Sequence, residues 1–214
     1  MTGEKFNALR REYGRQRLEE SGTPEDPLFL FQGWMEEAIN AGLNEPNAMV
    51  LATVSPEGQP SARVVLLKDF SEAGFTFFTN YNSRKGRHLA QNRKAAVLFF
   101  WEALERQVRI EGEVEKLDTE RSDRYFSTRP ADSRISAIAS PQSEVVPGRA
   151  FLEERWKETE QAFHSGHTAR PGHWGGYLLR PVRFEFWQGR ENRMHDRIQY
   201  RREDKGWQMD RLAP

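Results

Sequence analysis

From Ala48 the hydrophobic period drops from that of a helix to that of strands, and this change does most to limit what the chain can fold into. Ala48–Ser55 and Ser61–Lys68 flank the turn Pro56-Glu57-Gly58-Gln59 and read as a β-hairpin. Gly74–Asn80 follows as a third strand, with Phe75, Phe77 and Thr79 on one face and Thr76, Phe78 and Asn80 on the other. Ala95–Trp101 and Arg106–Lys116 add two more, and Trp174–Pro181, Arg183–Gln188, Arg193–Arg202 and Trp207–Asp210 close the chain as strands. Five central strands and a strand-rich tail predict a mainly β chain, an antiparallel barrel with helices packed outside it.

The helices are read from a different period and from their caps. Asp26-Pro27 is an N-cap followed by proline at the first helical position, and Leu28, Phe31, Trp34, Met35, Ala38 and Ile39 mark one apolar face up to about Leu43. Ser83–Gln91, Asp118–Thr128, Ser133–Ala139 and Gly148–Phe163 are further helices, and Arg129-Pro130 stops the second of these. Residues 5–20, with Phe6, Leu9, Tyr13 and Leu18 among many arginines, read as a charged helix.

At 214 residues the chain is long enough for one domain with a sizeable core. Lys+Arg and Asp+Glu are both 32, so an anion site must be a local cluster, and bulk attraction to nucleic acid or a membrane surface is not expected. No cysteine is present, which excludes disulfides, thiolate nucleophiles and thiolate metal ligands. Met1–Phe6 holds no apolar signal core and no apolar run reaches transmembrane length, so the expectation is a soluble cytoplasmic protein. His164, His167 and His173 share a loop without metal-ligand spacing, and no metal site is predicted.

Two clusters suit an anion, and a third pair of cations, Arg63 and Lys68, reads by itself as the charged ends of a strand. Ser83-Arg84-Lys85 opens a helix with two cations at its positive end, a sign mismatch that a phosphate would repair. Tyr125, Arg129 and Ser133 recur every four residues across the break at Pro130, around a corner that suits a phosphate or is a plain surface turn. Arg63 and Lys68 end one apolar strand, and a regular strand would turn them to opposite sides. In the tail, Arg193, His195 and Arg197 would share one face if the segment after Gly189 is extended, either opposite an anion or beside acidic neighbours.

Taken together, these segments resemble the pyridoxine 5'-phosphate oxidase family. The resemblance runs from Arg10-Arg11-Glu12-Tyr13 through Gly58-Gln59-Pro60, Arg63–Lys68, Phe78-Thr79-Asn80, Ser83-Arg84-Lys85, Leu104–Val108, Ser127–Ser133, Gln142-Ser143 and Trp174-Gly175-Gly176 to Phe184–Arg197 and Asp210–Pro214. It implies an FMN-binding split β-barrel, a single domain over 1–214 whose helical segment 1–22 folds over the site, working as a homodimer. FMN contacts would fall on Arg63, Val64, Val65, Leu66, Leu67, Lys68, Phe78, Thr79, Arg84, Lys85, Gln107, Gln142, Ser143, Trp187 and Arg197. Substrate contacts would fall on Arg10, Tyr13, Lys68, Tyr125, Arg129, Ser133, Arg193 and His195, the last two beside the reacting ring. Arg134 and Ser136 depart from the family pattern, where Gln and Gly are expected, and Phe78 stands where some members have Tyr.

The implied reaction is oxidation of pyridoxine 5'-phosphate or pyridoxamine 5'-phosphate to pyridoxal 5'-phosphate, with O2 as acceptor and hydrogen peroxide as product. The alternatives are a module that only binds FMN or pyridoxal phosphate, and another flavin reductase on the same barrel. The reductase would not need Tyr125, Arg129 and Ser133, and the binding module would gain nothing from a substrate ring site.

Overall fold

Asp26 fixes the start of the first helix, because its carboxylate accepts the Leu28 N–H at 2.9 Å while Pro27 supplies the first helical residue. The computed structural model describes residues 13, 14 and 16–214. Its helices are α1 (Pro27–Asn40), α2 (Arg84–Gln91), α3 (Thr119–Thr128), α4 (Ala131–Ala139) and α5 (Arg149–His164). Its strands are β1 (Ala48–Val54), β2 (Pro60–Leu66), β3 (Asp69–Ser71), β4 (Gly74–Asn80), β5 (Lys94–Trp101), β6 (Arg106–Lys116), β7 (Trp174–Gln188), β8 (Asp196–Glu203) and β9 (Gly206–Arg211). All nine join one sheet, in the order β2-β1-β5-β6-β7-β4-β3, with β8 paired to β7 and β9 to β8. This is the antiparallel, mainly β fold with flanking helices that the strand periods predict.

Three local expectations are corrected. The predicted break in the tail at Pro181–Val182 does not occur, and β7 runs through it. Proline has no N–H to give a ladder, but Pro181 lies between the stretch paired with β4 (Trp174–Leu179) and the stretch paired with β8 (Arg183–Gln188). The charged helix over 5–20 is absent wherever that stretch is described: 13, 14 and 16–19 are not helical, and one 3-10 turn, Glu20–Gly22, ends the segment. Tertiary bonds take its backbone groups instead. Gly14 N–H donates to Glu105 Oε2 at 2.9 Å, Leu18 N–H to Asp196 Oδ2 at 3.1 Å, and Arg211 Nη2 donates to Leu18 O at 2.9 Å. The third correction concerns the strand expected from Arg193, which begins only at Asp196.

The chain divides into two units. One comprises residues through Met49, Val97–Glu111 and Pro181–Pro214, the other Val50–Ala96 and Gly112–Arg180. In the first, the apolar face of α1 meets strand aromatics edge-on: Phe31 against Phe99 at 5.1 Å and Trp34 against Phe186 at 5.3 Å. Phe31, Phe99 and Phe186 are fully buried, each worth about 1.5–3 kcal/mol of transfer free energy. In the second, Phe77 stacks on Tyr177 at 5.6 Å across the β4–β7 ladder. There α2 docks closely because residue 86 is glycine, since a Cβ would sit 2.1 Å from Tyr81 O. No described helix is long and apolar enough to cross a membrane.

Candidate active site

The second unit contains a cavity of about 550 Å³ whose wall is cationic. Arg63, Val64, Val65, Leu66 and Lys68 line it from β2 and just beyond, Phe78 and Thr79 from β4, and Lys85 from α2. Tyr125, Arg129 and Ser133 line it from the α3–α4 corner, and Gln142 completes the set. The strand-face objection to pairing Arg63 with Lys68 disappears because β2 ends at Leu66, so alternation no longer binds Lys68. The corner forms as the Pro130 break predicts: Arg129 is extended (φ −73°, ψ 147°) between α3 and α4.

Among the described residues, the cations here have no acid to answer them. Lys85 is 9% exposed, and its Nζ donates to Thr79 Oγ1 at 3.0 Å, Gln142 Oε1 at 2.9 Å and Ser83 Oγ at 3.3 Å. All three partners are neutral. Burial, with Arg63 adding repulsion, pulls the Lys85 pKa down to about 8. Arg63 donates to Leu51 O, Thr53 Oγ1 and Ser61 Oγ, again without a carboxylate. Arg129 lies over the Trp174 ring at 4.6 Å, and its Nη1 is buried without a partner among the described residues. A buried, unsatisfied guanidinium nitrogen is costly unless a ligand accepts from it.

Some expected contacts do not line the cavity. Leu67 is 5% exposed and sits in the core, Arg84 is exposed beside its buried neighbour Lys85, and Ser143 is exposed at a positive φ of 72°. Ser83 caps α2, accepting from Gly86 N–H at 3.3 Å. Of the departures from the family pattern, Phe78 lines the cavity, whereas Arg134 and Ser136 lie off its wall. Arg134 stacks over Phe163 at 4.7 Å, and Ser136 faces a groove with Trp156 and Lys157 of α5. Asn80, Thr128, Pro130 and Trp174 also line the cavity. All four fall in segments that carry the family resemblance, and Pro130 also marks the helix break, but none of them is among the expected contacts.

The first unit holds the remaining residues, except Arg10, which lies outside the described ones. Trp187 and His195 pack with ring centres 4.7 Å apart, and Tyr13 meets them edge-on at 5.6 and 5.9 Å. Tyr13 approaches this closely because residue 189 is glycine: a Cβ there would lie 2.7 Å from Tyr13 Cβ. His195 Nδ1 accepts the Arg190 N–H at 3.1 Å, so the neutral ring carries its hydrogen on Nε2. Burial first, then Arg193, pushes its pKa below the usual histidine value.

The alternation argument for Arg193 and His195 fails, because Asn192 and Arg193 are left-handed (φ 54° and 60°) in a 3-10 turn before β8. Such a backbone costs a side-chain-bearing residue about 1–2 kcal/mol, and strain of this kind gathers at functional sites. Arg197 is in β8, where Nε donates to Glu185 Oε1 at 2.9 Å and Nη1 to Ala213 O at 2.8 Å. Glu185, 3% exposed, also accepts from Arg109. Gln107 is half-buried on β6.

The mainly β antiparallel sheet with flanking helices is that of the split-barrel class, and its cation-walled cavity suits an anion. Residues 35–162 match the family model described as pyridoxamine 5'-phosphate oxidase, and 174–214 match the pyridoxine 5'-phosphate oxidase C-terminal dimerisation region. The chain is 55% identical over 206 residues to a pyridoxine/pyridoxamine 5'-phosphate oxidase of Rubrobacter xylanophilus, covering 96% of this chain and 95% of that one. It is 54% identical to one of Pseudomonas paraeruginosa, covering 96% and 97%. Among solved structures, PhzG from Burkholderia lata, in complex with tetrahydrophenazine-1-carboxylic acid, is 29% identical with a TM-score of 0.88, covering 94% of this chain and all of that one. The chain belongs to the pyridoxamine 5'-phosphate oxidase family.

Proposed function

We propose that this protein oxidises pyridoxine 5'-phosphate and pyridoxamine 5'-phosphate to pyridoxal 5'-phosphate, with FMN as its flavin, O2 as acceptor and hydrogen peroxide as product. The observation that carries this reading is the set of cations in one cavity, Arg63, Lys85 and Arg129, that no acid answers among the described residues, with one guanidinium nitrogen buried and unpartnered there. FMN and the substrate each bring a phosphate, and the cavity offers two cationic groups to receive them. Arg63 and Lys85 with Thr79 and Gln142 suit the first phosphate; Lys68, Tyr125, Arg129 and Ser133 suit the second. When bound, the flavin supplies the two-electron acceptor and the reaction with O2.

The chain's own residues bind and orient. Arg129 holds a group remote from the reacting carbon, and that binding energy positions the carbon for oxidation. His195 is neutral at pH 7 and offers Nε2–H as a donor to the substrate ring, with Arg193 as the second ring contact. Trp187, Gln107 and Arg197 are assigned to the flavin ring, and the Arg197 guanidinium keeps donors on Nη1 and Nη2 beyond those its internal partners use. Arg10 and Tyr13 belong to a segment that covers the bound substrate. The chain carries the family's dimerisation region and works as a homodimer of single flavin-binding domains.

The purified protein should be yellow, and anaerobic pyridoxine 5'-phosphate should bleach it, with colour and hydrogen peroxide returning on aeration. A yellow protein that pyridoxine 5'-phosphate and pyridoxamine 5'-phosphate both leave unbleached would be a flavin-binding module only, and the proposed activity would be lost.

A further inference from the structure

The proposed chemistry gives no role to one buried histidine in the unit that holds the cavity. His88, on α2, is 7% exposed, and its Nδ1 lies 3.2 Å from Thr53 Oγ1 on β1. The same hydroxyl accepts from Arg63 Nη1 at 2.9 Å. The other Arg63 bonds go to Leu51 O and Ser61 Oγ, both at 2.8 Å. The guanidinium can only donate, so Thr53 is the acceptor in that bond and keeps its single hydrogen for another partner. With His88 in its Nε2–H tautomer, Nδ1 takes that hydrogen and the bonds run from Arg63 to Thr53 to His88.

We infer that His88 is a positioning residue for Arg63: by accepting from the Thr53 hydroxyl it turns that oxygen toward Arg63 and fixes the guanidinium in the wall of the phosphate cavity. The inference rests on the reading of Arg63 as a ligand of the FMN phosphate. The surroundings keep the ring neutral, and a neutral ring with its hydrogen on Nε2 leaves Nδ1 free to accept. Burial, Arg84, Arg63 and Arg87 all disfavour a proton on His88, and only Glu57 favours one, so its pKa lies below the ordinary histidine value. Bonds arranged in series also polarise one another, so loss of the last acceptor is felt at the first donor.

The test compares FMN with riboflavin, which lacks the phosphate, by fluorescence titration of flavin-stripped protein. His88→Leu removes the acceptor and should weaken FMN binding about fivefold, the scale of one hydrogen bond, with riboflavin binding unchanged. His88→Asn, whose amide oxygen can stand near the Nδ1 position, should restore affinity to within twofold of the parent. Thr53→Val keeps side-chain shape and deletes the hydroxyl, so it reproduces the loss even if His88→Leu does not fold, and the double variant should bind no worse than either single one. Three results overturn the proposal: unchanged FMN affinity in Thr53→Val, an equal loss for riboflavin, or no recovery with asparagine. If the parent protein binds riboflavin as tightly as FMN, the phosphate role of Arg63 falls first, and that outcome is distinct from the other three.

Discussion

The cavity wall and the tail that carries His195 handle the same residue type in opposite ways. Around the cavity, Arg63, Lys85 and Arg129 meet neutral oxygens, an aromatic face or nothing. In the tail unit five arginines are answered by acids: Arg197 and Arg109 by Glu185, Arg190 by Asp196, Arg106 by Glu37, and Arg211 by Glu20 and Asp196. A cation paired with a carboxylate has its charge answered inside the fold, even where it keeps donors for a ligand as Arg197 does, whereas a buried cation without an acid still gains from an anion. The first region therefore suits anions. The second is a frame that fixes a neutral histidine, a strained arginine and an indole.

The strongest way to break this contrast is Arg129→Ala. Loss of a charged donor to a bound phosphate costs about 1.5–3 kcal/mol, ten- to a hundredfold, and should appear mainly in KM for pyridoxine 5'-phosphate. Unphosphorylated pyridoxine should be oxidised equally well by parent and variant. Equal impairment with both compounds would make that corner structural.

Glu185→Gln tests the other side. It removes the acceptor charge shared by Arg197 and Arg109, whose side chains are 27% and 40% exposed, so the cost falls below that of a fully buried pair, at about 2 kcal/mol. For a chain of this size that predicts a Tm about 4–8 °C lower. An unchanged Tm would mean that the tail's ion pairs are ornaments of the surface.

Lys85→Met separates stability from binding. Lys85 is depressed to about 8 from 10.5, so the unfolded chain holds this proton between those values and the folded protein does not. The flavin-free parent should therefore gain stability as pH rises from about 8 to 10.5, and Lys85→Met should lack that gain. Binding a phosphate favours the charged amine. FMN affinity of the parent should weaken by up to about tenfold between pH 7 and 9, while the variant binds about tenfold more weakly at pH 7 and shows no such trend. A parent affinity independent of pH would remove Lys85 from the phosphate site.

The contrast also explains what could be read without coordinates. The cavity was legible because its residues come from regular elements with clear punctuation: Ser83 caps a helix, Pro130 ends another, and Gly74–Asn80 alternates. The tail was misread where it leaves regular structure. Alternation was extended back to Arg193, although Asn192 and Arg193 are left-handed and the strand starts three residues later. Composition predicts a helix before Glu20, and the described residues there depart from it because the bonds of Gly14 and Leu18 to Glu105, Asp196 and Arg211 have no local signature. Thr53 and His88 escaped notice for the same reason, being 35 residues apart and joined by one hydroxyl.

The smallest expected effect belongs to Gly189→Ala, which asks whether Tyr13 belongs to the His195 frame at all. The position has no left-handed backbone, so alanine is strained only by what its Cβ would touch: Tyr13 Cβ and Cγ at 2.7 Å and Glu105 Cβ at 3.1 Å. Tyr13 is the one able to move, since its segment is held there by the Gly14–Glu105 bond and by ring edges against Trp187 and His195. Displacing it removes contacts worth about 1 kcal/mol, and kcat/KM for pyridoxine 5'-phosphate should fall about fivefold with FMN affinity unchanged. Tyr13→Ala should cause the same loss, and the double variant should be no worse, because both changes empty the same space. A double variant clearly worse than either would show that the new methyl acts on Glu105 instead, and Tyr13 would then be a bystander to His195.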